Sequence, residues 1–380
     1  MSMQRVGTKR IALVGGGTGG HFYPLIATAE RLNDLKSQGL DIGLYYLGPD
    51  PYNSDILAKN NINFIKIPAG KRRKYFSILN FLGLFTTGFG LIVAFVKLYS
   101  LYPDVIFSKG GFTSVPVVLA AWLLRIPIVI HESDSKVGTA NKLAAPLARY
   151  IGISYDEAAE KLPTHKIALV GNPLQKTFME TPLNPIEALG LPADKPLIFI
   201  TGGSLGSHRI NNLILETLDE LLPTYTILHQ TGPTHEAAVK NAAVELLAGQ
   251  TLLHSYFIKG TLTANEMHLA ISGASLVISR AGSGSIFEIA HKGKPSIIIP
   301  IPETVSHDQR SNAYSYARTG AAAVLEETNL TDSLLTAEIT RIMSDQTVYD
   351  AMAKAARQFA RTDAAQLIAN TLTGITNEHN

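Results

Sequence analysis

The chain has no cysteine among its 380 residues. That excludes a disulfide framework, a thiolate nucleophile and a cysteine-ligated zinc site. Charge is scarce as well: Asp, Glu, Lys and Arg make up 17%, and the net charge is only +2. A protein that grips nucleic acid over much of its surface needs a clear basic excess, so that class is disfavoured. With 46% hydrophobic residues the chain is too apolar to be disordered. No signal peptide is expected, because the basic start MSMQRVGTKR leads into IALVGGGTGG, an apolar run too short for one and without a cleavage site. Catalytic signatures are missing too. There is no G-x-S-x-G elbow, Gly20 is followed by His21 rather than a P-loop Lys-Ser/Thr, and His131-Glu132 lacks the second histidine of a zinc helix. No protein-bound metal and no cofactor are expected. A globular, cytosolic protein remains.

The length fits two domains of roughly 150–200 residues. Short β-branched runs alternate with helix-like stretches. Strands are expected at 10–14, 41–47, 62–67, 104–107, 126–131 and 150–154, and again at 196–201, 225–230, 252–257, 275–279, 295–300 and 321–325. Apolar runs followed by helices read as parallel strands covered on both faces, so two such sets predict two doubly wound α/β domains. The proline-rich stretch 161–196 marks the linker. The domains are expected at 1–168 and 169–349, with helix 350–380 packing back on the first. Charge divides between the halves. Residues 1–170 hold 19 of the 33 Lys and Arg but 11 of the 31 Asp and Glu, hence +8 against −6 for the remainder. Chance would produce such a split often enough; the functional reading is that the first half faces something anionic.

One run stands apart. Residues 75–96, YFSILNFLGLFTTGFGLIVAFV, carry no charge and follow Lys71-Arg72-Arg73-Lys74. A buried crossover helix, an interfacial membrane-contact segment and a true span all compete. Asn80, two threonines and three glycines weigh against the span, and the basic tetrad favours the interfacial reading. Lys71, Arg72, Arg73, Lys74, Phe76, Leu79, Phe81, Leu82 and Phe85 are its candidate contacts.

Gly15, Gly17 and Gly20 form G-x-G-x-x-G directly after a strand, where backbone amides and a helix N-terminus attract phosphate. Alone the motif is weak and compatible with NAD, for which Asp50 would be the ribose acid. Three further turns follow strands: Gly110–Thr113, Gly202–Ser207 and Arg280–Ser285, the last leading to Glu288. Four such turns at strand ends suit a diphosphate-bearing ligand. His21 at a helix start suits a neutral general base, or simply a turn cap or phosphate ligand. Glu288 reads as a ribose-binding acid or as an ordinary first-turn carboxylate.

The assembled motifs resemble the MurG family of bacterial peptidoglycan glycosyltransferases (glycosyltransferase family 28). They are GGTGGHFYP (16–24), PDVIFSKGGFTSVPVVLAAWL (103–123), IPIVIHESD (126–134), GNP (171–173), GGSLGS (202–207), ISRAGSGSIFE (278–288), GKPSIIIPIP (293–302) and DQRSNA (308–313). The resemblance implies the GT-B fold, two Rossmann-like domains facing a cleft. It also implies inverting transfer of N-acetylglucosamine from UDP-N-acetylglucosamine to the 4-hydroxyl of the N-acetylmuramyl residue of lipid I, giving lipid II. Thr18, Gly19 and Gly20 would face the sugar and acceptor diphosphate, with His21 as base. Gly203 and Ser204 would meet the nucleotide diphosphate, and Ala264 the uracil. Ser283, Gly284, Ser285, Ile286, Phe287 and Glu288 would hold nucleotide and sugar, and Gln309 and Asn312 the sugar hydroxyls. Asp134 and Gln175 complete the substrate set. A lipid-linked acceptor further implies peripheral attachment to the cytoplasmic face of the bacterial membrane, on anionic lipid.

The chain departs from the family pattern at three places. Gln175 stands where an arginine is usual after GNP, Asp134 where many members have asparagine, and Leu205 where glutamine is common. The alternatives are another GT-B lipid or natural-product glycosyltransferase, a sugar-nucleotide epimerase, an NAD-dependent oxidoreductase, or a membrane-bound scaffold.

Overall fold

The computed structural model describes residues 8–70, 78–249, 251–302 and 309–378, with the backbone alone for 78–82, 84 and 251. The chain divides into two compact units, one of Met1–Lys176 with Thr362–Asn380, the other of Thr177–Arg361.

The first unit contains a seven-stranded sheet built from β1 (Lys9–Val14), β2 (Ile42–Gly48), β3 (Ile62–Lys66), β4 (Val105–Ser108), β5 (Ile128–Glu132), β6 (Tyr150–Ile153) and β7 (Ile167–Leu169). The order is β3-β2-β1-β4-β5-β6-β7 and every pairing is parallel. Alternation along β1 shows why such strands read as unbroken apolar runs. Ile11 and Leu13 join Phe22, Leu25 and Ile26 of helix Gly19–Ser37, while Ala12 and Val14 join Ala94, Leu98 and Val117 on the opposite face. Both faces are covered, so both sets of side chains must be apolar. Winding reverses between β1 and β4, and parallel register ends Val14 level with Ser108. Open sheets of this kind bind ligands at that edge.

Helix Ile78–Leu101 is the β3-to-β4 crossover. Ala94 and Leu98, one turn apart, are buried in the same cluster as Val117 and Ala121 of helix Val115–Leu123. Phe85, Phe89, Ile92, Val96 and Tyr99 recur at alternating spacings of four and three on the other side and are exposed, Phe89 by 60% and Tyr99 by 69%. Within helix Ile78–Leu101 one face is therefore buried, as a crossover requires, and another is apolar and exposed. Among the described residues no helix is long and apolar enough to cross a membrane.

The second unit contains β8 (Leu197–Thr201), β9 (Thr226–Gln230), β10 (Tyr256–Lys259), β11 (Leu276–Ser279), β12 (Ser296–Ile298) and β13 (Ala322–Val324). Their order, β10-β9-β8-β11-β12-β13, places the winding reversal between β8 and β11.

The sequence expectations are corrected at four points. Strand β7 lies inside the stretch read as linker; three residues at a sheet edge carry little local signal. The strand expected at 252–257 begins at Tyr256, in register with Ile227, and Thr251–Ser255 form a 3-10 turn instead. The unit boundary falls after Lys176 rather than 168, because the Lys176 amide donates to the Glu30 carboxylate on helix Gly19–Ser37. The return to the first unit begins at Thr362 rather than 350. Helix Gln346–Phe359 stays in the second unit, where Phe359 packs on Phe287 and Tyr316, and helix Ala364–Glu378 buries Ile368, Leu372 and Ile375 beside Leu25.

Candidate active site

Each unit gathers glycine turns at the carboxyl ends of its central strands.

In the first unit the chain leaves β1 through Gly15-Gly16-Gly17 and enters a helix capped by Thr18, whose residue is extended (φ −152°). The Thr18 hydroxyl lies 2.8 Å from His21 Nδ1. If Nδ1 carries the proton it donates to that hydroxyl, and Nε2 is then the basic nitrogen of the ring. His21 is partly exposed and sits at the positive end of the helix dipole. Gly19 and Gly20 occupy the first turn beside it. Asp50, the acid needed by the dinucleotide alternative, accepts from the Tyr52 amide at 2.9 Å in a tight turn.

The neighbouring turn after β4 packs against this one. A β-carbon on Gly111 would lie 3.6 Å from the His21 ring, and one on Gly110 would lie 2.7 Å from Asn141 Oδ1. Both glycines have φ near +77°, so side chains are excluded there by conformation as well as by space.

Beneath the turn lies a polar cluster that sequence reasoning missed. Lys109 is only 2% exposed. Its Nζ is 2.5 Å from His131 Nδ1 and within bonding reach of Ser133 Oγ. His131 Nε2 faces the Gly171 carbonyl at 2.8 Å; a carbonyl only accepts, so the ring proton resides on Nε2 and Nδ1 accepts from Lys109. Complete burial and the nearby ammonium push the His131 imidazolium well below the usual histidine range, so the ring is neutral. Ser133 donates to Asn172 Oδ1 at 3.2 Å and thus accepts from Lys109. The adjacent Glu132 carboxylate is buried and accepts from Asn141 Nδ2 and the Gly138 and Asp134 amides, at 2.9–3.1 Å. Desolvation, then the Asp134 charge, raises its pKa. The sequence signals were a lysine closing a buried strand in VIFSKGG and the polar run His131-Glu132-Ser133-Asp134 closing the next. Gln175 also belongs to this unit, and its side chain bonds Glu30.

In the second unit the turn after β8 brings Gly203, Ser204 and the 79%-exposed Leu205 to the surface. Gly206 is obligatory, since a β-carbon there would lie 1.8 Å from the Thr231 carbonyl. The turn is anchored by Arg280, which was noted as part of a glycine turn but assigned no role. Its Nη2 donates to Ser207 Oγ at 2.6 Å, its Nη1 reaches the Ile299 and Pro300 carbonyls, and Glu327 pairs with it at 2.5 Å. Ser283, Gly284, Ser285, Ile286, Phe287 and Glu288 form the first turns of helix Ser283–His291, in which Ile286 and Phe287 are core residues. Burial pushes the Glu288 carboxyl up to about 8. Ala264 begins a helix closed by a Thr263–Glu266 capping box and is exposed. Gln309 Oε1 is buried without a hydrogen-bond partner, whereas Asn312 donates to the Ala281 carbonyl and so tethers the Arg280–Gly282 turn. Lys71, Arg72, Arg73, Lys74 and Phe76 lie outside the described residues, as do the side chains of Leu79, Phe81 and Leu82. Phe85 is exposed. No three His, Asp or Glu among the described residues could hold a metal ion.

Two parallel sheets of this order, with glycine turns and helix N-termini at their carboxyl edges, define a GT-B-type nucleotide-sugar fold. Residues 11–153 match the glycosyltransferase family 28 N-terminal domain and residues 197–368 the family 28 C-terminal domain. The chain belongs to glycosyltransferase family 28. A relative from Bacillus cereus, 37% identical over 90% of this chain and 93% of its own length, is named UDP-N-acetylglucosamine–N-acetylmuramyl-(pentapeptide) pyrophosphoryl-undecaprenol N-acetylglucosamine transferase 2. One from Borrelia hermsii named as the same transferase is 34% identical over 96% of both chains. The crystal structure of Acinetobacter baumannii MurG superposes with a TM-score of 0.72 at 26% identity, covering 96% of this chain and 99% of that one. A Neisseria meningitidis UDP-GlcNAc 2-epimerase bound to UDP-GlcNAc shares the fold, with a TM-score of 0.70 at 15% identity, covering 97% of this chain and all of that one.

Proposed function

We propose that the protein transfers N-acetylglucosamine from UDP-N-acetylglucosamine to the 4-hydroxyl of the N-acetylmuramyl residue of lipid I, with inversion. The observation that carries this reading is near-full-length identity of 34–37% to transferases of that name. In the proposed reaction His21 Nε2 takes the proton of the acceptor hydroxyl as its oxygen attacks the sugar C1. The C1–oxygen bond to UDP breaks, and its electron pair leaves with the diphosphate. Thr18 would hold the base in the required tautomer, and helix N-termini would stabilise the departing charge. The second unit would hold the nucleotide sugar, with Gly203 and Ser204 at the diphosphate, Glu288 at the ribose and Gln309 at a sugar hydroxyl. The unpaired buried oxygen of Gln309 supports that assignment, since an unmet acceptor is costly until a donor arrives.

The first unit would receive the lipid-linked acceptor and rest on anionic lipid at the cytoplasmic face of the membrane. The exposed stripe Phe85–Phe89–Ile92–Val96–Tyr99 and the preceding basic tetrad support this. Radiolabel transfer to lipid I from UDP-N-acetylglucosamine, compared with UDP-glucose, tests the reaction. Label appearing in lipid II from the first donor alone is expected. Release of UDP without a disaccharide-lipid product, or conversion of the donor to its epimer, would refute it.

A further inference from the structure

Five aromatic side chains of the first unit meet in one run from the sheet to the start of helix Gly19–Ser37. Tyr46 of β2 and Phe22 are buried, with ring centroids 5.7 Å apart. Phe64 of β3 flanks Tyr46 at 6.2 Å. Tyr52 lies over Phe22, its centroid 4.6 Å away and its plane tilted by 33°. Tyr23 meets Phe22 and Tyr52 edge-on, at 5.6 and 6.3 Å. The two outer rings are open to solvent: Tyr23 is 39% exposed and Tyr52 41%.

This stack is tied to the glycine turn that precedes His21. The Tyr46 hydroxyl donates to the Gly15 carbonyl at 2.5 Å. A β-carbon on Gly19 would lie 3.1 Å from the Tyr23 ring and 3.2 Å from the Tyr52 hydroxyl oxygen, so the two outer rings close over that glycine. Gly16 and Gly17 are covered in the same way, by Tyr46 and Phe112. At Gly20 the first atom a β-carbon would meet is Thr18 Oγ1, 3.9 Å away. Open space at the helix start therefore adjoins the aromatic pair. Tyr52 is also held under strain. Its backbone is left-handed (φ 56°), which a bulky side chain adopts only where its surroundings fix it, and its amide is fixed by the Asp50 carboxylate.

An aromatic ring backed by another ring and open to water on its outer side is suited to stacking. Its negative face attracts the C–H groups on the flat side of a sugar, and apolar area leaves water as they meet. The 4-hydroxyl that His21 would deprotonate is carried by a pyranose, and a base works only within hydrogen-bond reach of its proton. That pyranose must therefore lie within one sugar's width of His21, and Tyr52 packs on Phe22, the next residue along. A polyprenyl chain would call for a purely apolar groove; two hydroxyl-bearing rings beside a glycine turn suit a sugar better.

We propose that Tyr52 and Tyr23 form a stacking platform for the N-acetylmuramyl ring of the acceptor, a binding subsite that aligns its 4-hydroxyl with His21. The inference deepens the transfer reading above and rests on it. Its consequence is selective: the platform sets affinity for the acceptor and not for the donor, because every ring in it belongs to the first unit.

Steady-state transfer with lipid I and UDP-N-acetylglucosamine varied in turn tests this. Tyr52→Ala should raise the KM for lipid I about 10-fold, with the KM for UDP-N-acetylglucosamine within about 2-fold. Tyr52→Phe keeps the ring and should stay within about 3-fold of the parent. Tyr52→Leu keeps apolar bulk without the ring and should behave like Tyr52→Ala. A parental KM for lipid I in Tyr52→Ala overturns the proposal. So does a Tyr52→Leu enzyme equal to the parent, or an equal rise in both KM values. Should Tyr52→Ala fail to fold, Tyr23→Ala opens the platform from the other side. A rise of about 3- to 5-fold in its KM for lipid I supports the proposal, and a parental value refutes it.

These variants should sediment with anionic vesicles as the parent does; lost sedimentation would assign the rings to the membrane and overturn the proposal. Tyrosine ring NMR keeps the inference apart from the reading beneath it. The Tyr52 ring signals, identified by their absence in Tyr52→Leu, should shift when a water-soluble, short-chain analogue of lipid I is added to the parent. If they shift while the parent transfers no sugar, the transfer reading falls and the platform stands. If transfer proceeds and they stay in place, the platform falls alone.

Discussion

The two units wind their sheets in the same order and close their first strand with glycines, but they anchor those glycine turns with different cations. In the second unit Arg280 reaches Ser207, two carbonyls and Glu327 from one guanidinium. A guanidinium cannot lose its proton in a protein, so this anchor has one charge state. In the first unit the cation is Lys109, bound to a neutral histidine and a serine. An ammonium in that setting responds to every neighbouring charge. The comparison teaches that the turn after β8 is held by a cation of fixed charge, while the turn after β4 follows a buried cation that can lose its proton.

The largest effect should come from the residue on the adjustable side. His21→Ala is expected to lower kcat about 10²- to 10⁴-fold, the usual worth of a positioned base, with UDP affinity changed less than about 2-fold. Calorimetric UDP titration beside turnover measurements checks this, and parental turnover would remove His21 as the base.

Breaking the rigid anchor should act on stability first. Arg280→Met strands Glu327 and frees the Ser207 turn, so the second unit should lose about 3 kcal/mol and bind UDP about 10-fold more weakly. Chemical denaturation and titration read the two numbers. An Arg280→Met protein as stable as the parent would dissolve the contrast between the anchors.

The outer face of the crossover helix offers a control specific to the first unit. Phe85→Asp with Phe89→Asp should weaken sedimentation with anionic vesicles about 10-fold and leave UDP binding unchanged. Equal sedimentation of variant and parent would sever that face from the membrane.

A last effect concerns pH. The Glu288 carboxyl is raised to about 8 in the folded unit from an ordinary 4.5. Between those values the folded state holds a proton that the unfolded chain has lost, so stability should fall as pH rises from 4.5 to 8 and level off above. The slope contributed is at most about 1.4 kcal/mol per pH unit. Glu288→Gln should flatten the profile across that window, as read by denaturation midpoints at pH 5, 6.5 and 8.

Much of this molecule could be read without coordinates. Eleven of the thirteen strands among the described residues lie where apolar runs predicted them, because a parallel strand covered on both faces is mostly apolar. The turns at Gly15–Gly20, Gly110–Thr113, Gly202–Ser207 and Arg280–Ser285 were visible for the same local reason. The bond of Gln175 to Glu30, far away in sequence, had no local signal.

The sequence by itself determined the alternation of strands and helices, the four glycine turns, the histidine at a helix start and the apolar crossover segment. Each is written in neighbouring residues, where a period of two or of 3.6 and the demands of a tight turn decide the outcome. Only the tertiary structure decided that Lys109 meets His131 and Ser133, that Arg280 holds Ser207, and that the last helix returns to the first unit. Those partners come from separate strand ends, and sheet order, not proximity along the chain, sets which ends become neighbours.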